Sequence, residues 1–310
     1  MSAAIIPVGI DEPVSGRQLK AQQRAQDAKT KLSSPLASVI AVIIAVLWTI
    51  PTLGMLVNSV RKAPGPSSSG WWHFFGNGTG FTFSNFSQAW TGNGAAANAL
   101  GKFILNTFVI TIPATVIPIA LALGAAYAFA WIPFRGRNVL FVAVFALQIV
   151  PIQVALVPLL KLYNGVGLAG SFWPIWLSHT MFGLPLATFL LHNFIKEIPG
   201  SLVEAARIDG AGHVGIFFRV MLPLLVPAIA SFAIFQFLWV WNDLLVALTF
   251  ASGGNTKPIT PGIQGLTTQF ASAADILPAG AMIALVVPLI VFLSLQRYFV
   301  RGLLAGSVKG

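Results

Sequence analysis

A short polar stripe interrupts one of the most apolar stretches of the 310-residue chain. Gln236, Trp239 and Asp243 occur at positions i, i+3 and i+7, a spacing that places them on one face of a helix. An aromatic ring can stack on a sugar ring, and amide and carboxylate oxygens accept hydrogen bonds from sugar hydroxyls. The stripe therefore predicts a site for a hydroxylated ligand, unless Asp243 is simply solvated at the end of its segment.

Other isolated polar residues are candidates for the same path through the apolar segments. They are Asn106, Gln148, Gln153, His179 and Asn242. Gln148 and Gln153 are five residues apart, so they do not share a face on a continuous helix. A lone histidine such as His179 more often satisfies an interhelical hydrogen bond than binds a ligand.

The chain carries no recognisable catalytic constellation. It has no cysteine, no HExxH motif and no GxSxG motif, and His179 and His192 are not spaced as a metal-ligand cluster. Asp243 and Asp275 are single acids. The Gly-Lys pair at 101–102 lacks the upstream glycine and the Ser or Thr of a phosphate-binding loop. We expect no enzymatic activity, and no metal or cofactor bound by this chain.

The composition is typical of a membrane protein. Hydrophobic residues make up 56% of the chain and charged residues 8%, whereas soluble domains carry roughly 25% charged residues. The formal charge of +10 comes from basic residues scattered between apolar segments, without the basic face that is typical of nucleic-acid binding. We therefore expect contact with lipid and none with nucleic acid.

Six charge-poor segments are long enough to cross a bilayer, which takes about 20 residues of helix. Placing both termini in the cytoplasm leaves few basic residues on the other side, as the positive-inside rule requires. The sequence thus predicts an all-α polytopic membrane protein, with a cytoplasmic tail at 1–34, a transmembrane domain at 35–300 and a second cytoplasmic tail at 301–310. The predicted spans are 36–57, 103–131, 139–160, 171–191, 222–250 and 276–296, and the basic residues on the outer side are Arg61, Lys62, Lys102, Lys161 and Lys257.

The loop at 196–223, on the predicted cytoplasmic side, contains the signals of a short helix. Ser201 and Glu204 have the spacing of a capping box. Gly210 and Gly212 can stop a helix in left-handed or loose conformations. The predicted helices run over 202–209 and 213–222.

The first of these helices has eight residues and is marginal in water by itself, because few hydrogen bonds offset its nucleation. Val203, Ala206 and Gly210 fall on one face, and their small side chains predict a partner surface that approaches closely there. Taken one residue at a time, the loop is also compatible with an ordinary connection between two spans.

The loop carries a longer motif: Glu-Ala-Ala, three residues, Gly, nine residues, then Val-Met-Leu-Pro. In this pattern the chain resembles the membrane subunits of binding-protein-dependent ABC importers, where the motif ends in Ile-x-Leu-Pro. Val220 replaces the usual isoleucine. The segments "FSNFSQAW", "LNTFVIT", "WNDLLVALTF" and "RGLLAGSVKG" resemble the carbohydrate-specific, maltose-type subgroup with six spans.

The resemblance implies a type I ABC importer fold in which the loop helix is a coupling helix seated on a cytoplasmic ATPase. ATP is then bound by two ATPase subunits. The resemblance also implies a second permease subunit, an extracytoplasmic sugar-binding protein and a bacterial or archaeal cell membrane. The coupling residues it implies are Glu204, Ala205, Ala206, Asp209, Gly210, Gly212, Leu222 and Pro223.

The implied substrate is a disaccharide or a short α-glucoside. An ABC importer for another solute is one alternative. An ion-coupled secondary transporter is a second alternative, although such proteins place broken helices in corresponding positions of two repeats, and no duplication is visible in this sequence.

Overall fold

The structure, a computed structural model, describes residues 35–62, 70–75, 80–92, 99–251, 253, 255–268 and 276–307. Within these ranges every regular element is helical, which confirms the predicted all-α fold class. The expected tail at 1–34 lies outside the described residues, as do Asp275 and 308–310. Contacts divide the chain into two units, residues 1–53 with 308–310, and residues 54–307.

Five of the described helices are long and apolar enough to cross a membrane. The first begins in the first unit, and the others belong to the second unit. We number them by their order among the predicted spans: span 1, Pro35–Val60; span 2, Leu100–Trp131; span 4, Trp173–Glu197; span 5, Leu222–Trp241; and span 6, Leu277–Ser307.

Shorter helices lie between the spans. Span 5 continues from the turn His213–Ile216 through a π-helical segment, Phe217–Met221, so that helix runs without a break into the membrane segment. The remaining short helices are Trp71–Phe75, Ser84–Thr91, Gly200–Ile208, Leu245–Phe250 and Ile259–Thr268.

The third predicted span is broken. Its two parts, Arg137–Ile149 and Ile152–Gly165, are bent by 98° relative to each other. Pro151 explains the break, because proline has no N–H to continue a helix and favours an extended conformation at the preceding residue; Val150 has a ψ of 121°. The prediction of one continuous helix over 139–160 is therefore wrong, and we call the bent pair span 3.

Contacts between spans 2 and 4 show that the two helices run parallel. Near their C-terminal ends, Tyr127 belongs to the same buried cluster as Ile195. Near their N-terminal ends, the indole of Trp176 donates a hydrogen bond to the carbonyl of Val109 at 3.0 Å. Two parallel spans that follow each other require the chain between them to cross the membrane in the opposite direction. The bent pair of span 3 therefore counts as one membrane crossing, and the described helices provide six crossings in all.

Prolines inside the spans create acceptors for bonds between helices. A proline at position i leaves the carbonyl at i−4 without its helical donor. In three cases a side chain from another span supplies that donor, so the helix that proline weakens becomes tied to its neighbour. These bonds are Trp176 to Val109, four residues before Pro113, at 3.0 Å; Gln236 to Ala114, before Pro118, at 3.1 Å; and Trp241 to Ala284, before Pro288, at 3.2 Å.

Candidate functional site

The loop helix covers Gly200–Ile208, two residues earlier at its start than predicted. Pro199 occupies its N-cap position, and no side-chain hydrogen bond caps the helix there. Ser201 lies within the first turn, so the predicted capping box with Glu204 is wrong. A proline beside the first turn costs nothing in hydrogen bonding, because the first N–H groups of a helix have no intrahelical acceptor.

The other end of the loop helix has the geometry of a Schellman motif. The N–H of Ala211 donates to the carbonyl of Ala206 at 2.9 Å, and the N–H of Gly210 donates to that of Arg207 at 3.0 Å. Gly210 has a φ of 80°, the left-handed conformation that glycine favours. The prediction that Gly210 ends the helix is confirmed. Gly212 instead has a φ of −74° and a ψ of 173°, an extended conformation that any residue adopts.

This geometry explains the spacing of the motif. Ala206 and Gly210 are four residues apart, which is the separation that a Schellman motif requires between its C3 and C′ positions. Ala206 and Ala211 also pack against the same buried cluster. The spacing between the alanines and the glycine of the motif therefore determines where the loop helix ends and in which direction the chain leaves it.

The small face of the loop helix packs on this chain. Val203 is 1% exposed and lies in the cluster that contains Ile216 and Leu225, with Ala206 against it. The prediction that Val203 and Ala206 present a close-approach surface to a partner is therefore wrong. The opposite face is solvent-accessible in this chain, with Ile208 at 86% exposure. The other exposed residues of this region are Ser201, Leu202, Glu204, Ala205, Arg207, Asp209, Gly210, Gly212, His213, Val214, Phe218, Arg219 and Pro223, while Leu222 is half-buried.

An aromatic contact fixes the loop to span 2. The hydroxyl of Tyr127 lies 3.0 Å from Nδ1 of His213, and the Tyr127 ring meets Phe217 edge-on at 5.4 Å between centroids. Phe217 opens the π-helical segment that leads into span 5. Sequence reasoning missed this contact, because the two partners are 86 residues apart and His213 occupies one of the nine unspecified positions of the motif.

A cavity of about 520 Å³ lies at the break in span 3. The break, the middle of span 4 and the second half of span 5 form its walls. Gln148, Gln236 and Trp239 were predicted for a pathway, and all three line this cavity. Gln153 lines it as well, so the expectation that Gln148 and Gln153 face different directions is wrong: the bend at Pro151 brings both to one space.

Gln236 is 1% exposed and closes the inner wall of the cavity. Its Nε2 donates to the carbonyl of Ala114 at 3.1 Å, while its Oε1 has no hydrogen-bond partner among the described residues. A Cβ at Gly183 would lie 2.8 Å from both polar atoms of the amide. Glycine at position 183 is therefore required for the amide to occupy this position.

One polar side chain, that of His179, contacts the ring of Trp239. The imidazole of His179 meets the Trp239 ring edge-on, with 5.2 Å between centroids. Nδ1 of His179 lies 3.0 Å from the carbonyl of Ile175, and its Nε2 lies 3.8 Å from Oδ2 of Asp243. The bond to Ile175 lies within span 4, and Nε2 has no hydrogen-bond partner among the described residues, so the interhelical hydrogen bond expected for His179 is not seen there. Its links to the next span are the ring contact with Trp239 and the 3.8 Å approach to Asp243.

Asp243 lies beyond the end of span 5, because the helix predicted over 222–250 stops at Trp241 and a separate helix follows. Its side chain is 10% exposed, and its Oδ2 accepts a hydrogen bond from the N–H of Ala247 at 3.0 Å. Asp243 is therefore neither solvated at the end of span 5 nor part of the cavity lining. Asn242 is exposed and donates to the carbonyl of Leu238 at 2.7 Å.

Asn106 lies away from the cavity lining. Its amide nitrogen donates at 3.0 Å to the carbonyls of both Asn255 and Lys257. It thus ties the segment before the helix Ile259–Thr268 to span 2.

Several membrane-spanning helices, a cavity bordered by spans 3, 4 and 5, and a loop helix that ends in a Schellman motif are typical of a polytopic membrane transport protein. The chain belongs to the family described as binding-protein-dependent transport system inner membrane component, whose sequence profile matches residues 117–304. The membership expected from the resemblance is confirmed.

The relatives of this chain are transport permeases. It is 48% identical over 267 residues to the osmoprotective compounds uptake permease protein GgtD of Synechocystis sp., a match that covers 85% of this chain and 88% of that protein. It is 50% identical over 236 residues to the alpha-glucoside transport system permease protein AglG of Rhizobium meliloti. The second match covers 74% of this chain and 61% of AglG.

The fold also matches a chain in the crystal structure of a bacterial ABC transporter involved in the import of the acidic polysaccharide alginate. The TM-score is 0.70 at 19% sequence identity, and the match covers 85% of this chain and 95% of that chain. At this identity the likeness concerns the fold, and it confirms the predicted importer fold.

Proposed function

We propose that this chain is one permease subunit of an ATP-driven sugar importer and forms half of a pathway completed by a second permease subunit. The observation that carries the proposal is the loop helix. Its inner face is anchored on this chain by Val203, and its outer face exposes Ile208 beside Glu204 and Asp209. Arg207 is exposed next to Ile208 as well, so this apolar side chain, 86% exposed and bordered by charges of both signs, suits a protein partner whose rim carries a basic group opposite the carboxylates and an acidic group opposite Arg207.

That partner is an ATPase subunit. The sequence of this chain has no phosphate-binding loop, so the energy for transport comes from two separate ATP-binding cassette subunits. One of them receives the loop helix in a cleft, with a basic residue against Glu204. Movement of the loop helix reaches span 5 through the π-helical segment Phe217–Met221 and reaches span 2 through Tyr127, which contacts His213 and Phe217.

The end of the bundle that carries the loop helix is cytoplasmic in this proposal. The positive-inside rule supports this orientation, because the loops at this end hold Arg135, Arg137, Lys196, Arg207 and Arg219. Both termini are then cytoplasmic, and an extracytoplasmic sugar-binding protein delivers substrate at the opposite end. The host membrane is a bacterial or archaeal cell membrane.

The proposed substrate is a disaccharide or a short α-glucoside. The name of AglG, which is 50% identical to this chain, specifies alpha-glucoside transport. The name of GgtD, which is 48% identical, specifies osmoprotective compounds, and import of another small solute is the alternative that this name favours.

Two glycines provide a matched test of the coupling helix. Neither Gly210 nor Gly212 has an atom within 4 Å of an added Cβ, but only Gly210 has a positive φ. Gly210→Ala should strain the exit of the loop helix by roughly 1–2 kcal/mol, whereas Gly212→Ala should be nearly neutral. We expect Gly210→Ala and Glu204→Lys to weaken copurification with the ATPase subunits or to uncouple hydrolysis from uptake, while Gly212→Ala behaves as the unmodified chain.

Normal assembly and import by Gly210→Ala and Glu204→Lys would refute the coupling role. Uptake that persists without the ATPase subunits and collapses with the ion gradient would instead establish a secondary transporter.

A further inference from the structure

The cavity at the break in span 3 has walls without charge. The residues that line it include no Asp, Glu, Lys, Arg or His. Its polar side-chain groups are the indole N–H of Trp239 and three primary amides, those of Gln148, Gln153 and Gln236, and its volume of about 520 Å³ lies in the range of small-molecule sites. A charged ligand would lose its hydration in this cavity without gaining a counter-charge from its walls, which is unfavourable.

The cavity wall contains a buried hydrogen-bond acceptor without a donor. Oε1 of Gln236 is buried and has no partner among the described residues. Its amide cannot turn freely, because Nε2 is held by the carbonyl of Ala114 and both polar atoms face Gly183. A buried acceptor without a donor is unfavourable, and the residue that carries it lines the cavity.

The same side of span 5 presents an aromatic surface. Trp239 lines the cavity one turn after Gln236, and His179 contacts its ring edge-on at 5.2 Å between centroids. Phe182 and Phe235 add further aromatic lining. An aromatic plane beside amide groups offers an apolar surface for a ring and hydrogen-bonding partners for its hydroxyls.

We propose that this cavity is a binding site for a neutral, polyhydroxylated ring, which packs on Trp239 and donates a hydroxyl hydrogen bond to Oε1 of Gln236. The inference deepens the proposed sugar import, on which it rests, by assigning a substrate contact to this subunit and by excluding anionic sugars. The amides of Gln148 and Gln153 bind further hydroxyls at the mouth of the cavity.

The absence of cysteine in the chain permits a direct test by thiol protection. Gln153→Cys places one thiol in the cavity wall, and Val214→Cys places a control thiol at a position that is 73% exposed on the loop-helix side. The rate of maleimide labelling is measured on this subunit in the purified importer, without binding protein or nucleotide. The probes are the neutral disaccharides maltose, trehalose and sucrose, and maltobionate, which resembles maltose but carries a carboxylate.

We expect at least one neutral disaccharide to slow labelling of the Gln153→Cys variant about fivefold or more, and maltobionate to have no effect. Labelling of the Val214→Cys variant should be unaffected by any of the probes. Protection by none of the neutral sugars, or equal protection by maltobionate, would overturn the proposal.

A second pair of variants isolates the acceptor. Gln236→Met removes Oε1 but also leaves the carbonyl of Ala114 without a donor. Pro118→Ala restores the backbone N–H for that carbonyl, so the double variant should fold and lack only the amide. In the Gln153→Cys background, we expect Pro118→Ala alone to retain sugar protection and the double variant, at equal abundance, to lose it. Retained protection in the double variant would remove Gln236 from the site.

The outcomes for the site and for the proposed function are separable. ATP-dependent uptake of a neutral disaccharide without thiol protection would sustain the importer and overturn the cavity site. Thiol protection without any ATP-dependent uptake would sustain the site and overturn the importer.

Discussion

The bond between Trp241 and span 6 offers a quantitative test of how this bundle is held together. The indole N–H of Trp241 donates at 3.2 Å to the carbonyl of Ala284, whose helical donor is missing because residue 288 is proline. Trp241 is fully buried and packs edge-on against Phe108 at 5.0 Å. Trp241→Phe therefore removes both packing and a hydrogen bond, and its total cost does not separate the two.

Pro288→Ala separates them. It supplies a backbone N–H at position 288, so the carbonyl of Ala284 retains a donor when the indole is lost. An unsatisfied buried carbonyl costs about 1–3 kcal/mol, and interhelical hydrogen bonds in membranes average about 0.6 kcal/mol. We expect Trp241→Phe to be about 1 kcal/mol less destabilising in the Pro288→Ala background, which is roughly a fivefold difference in the unfolding equilibrium constant.

The measurement is equilibrium unfolding in mixed detergent micelles, followed by circular dichroism, for the four members of the cycle. Because the packing loss is common to both backgrounds, it cancels in the difference. A cost of Trp241→Phe that is the same in both backgrounds within about 0.3 kcal/mol would show that proline-freed carbonyls do not tie these spans together.

Two further predictions concern the loop helix. Val203→Thr should destabilise the chain by about 1–3 kcal/mol, because it buries a hydroxyl in an apolar cluster. Ile208→Thr, on the exposed face, should leave stability unchanged and weaken only ATPase binding. Unfolding midpoints and copurification distinguish these effects, and the reverse pattern would contradict the assignment of the two faces. Tyr127→Phe should reduce ATP-driven uptake without changing the abundance of the assembled importer. The substitution removes the 3.0 Å contact with His213 but keeps the ring against Phe217. Unchanged uptake per ATP hydrolysed would show that this contact has no part in coupling.

The sequence was sufficient to predict the architecture and the end of the loop helix. Long apolar segments have few alternatives to membrane helices, because only helices and closed barrels satisfy the backbone in a bilayer. Gly210 was predictable because a left-handed conformation at the end of a helix favours glycine. Gln148, Gln236 and Trp239 were recognisable as pathway candidates because polar or aromatic residues are unusual inside apolar segments.

The faces of the loop helix could not be read from its sequence. Its small residues predicted a close partner, and the partner is the chain's own buried cluster at Ile216 and Leu225. The pattern shows that a face is buried, and it does not show which surface buries it. The break in span 3 had a local signal in Pro151, but other span prolines leave their helices intact, including Pro113 and Pro118 in span 2. A proline therefore shows where a helix can break, and the surrounding packing decides whether it does.

The three side chains that bond to proline-freed carbonyls also explain why only one of them belongs to the candidate site. An indole has a single donor and no acceptor, so Trp176 and Trp241 have no polar atom left once they bond to Val109 and Ala284. A primary amide carries donors and an acceptor. Gln236 therefore ties span 5 to span 2 through Nε2 and still retains Oε1. Because the same residue stabilises the helix packing and borders the cavity, the position of the ligand acceptor is set by the bond that holds the two spans together.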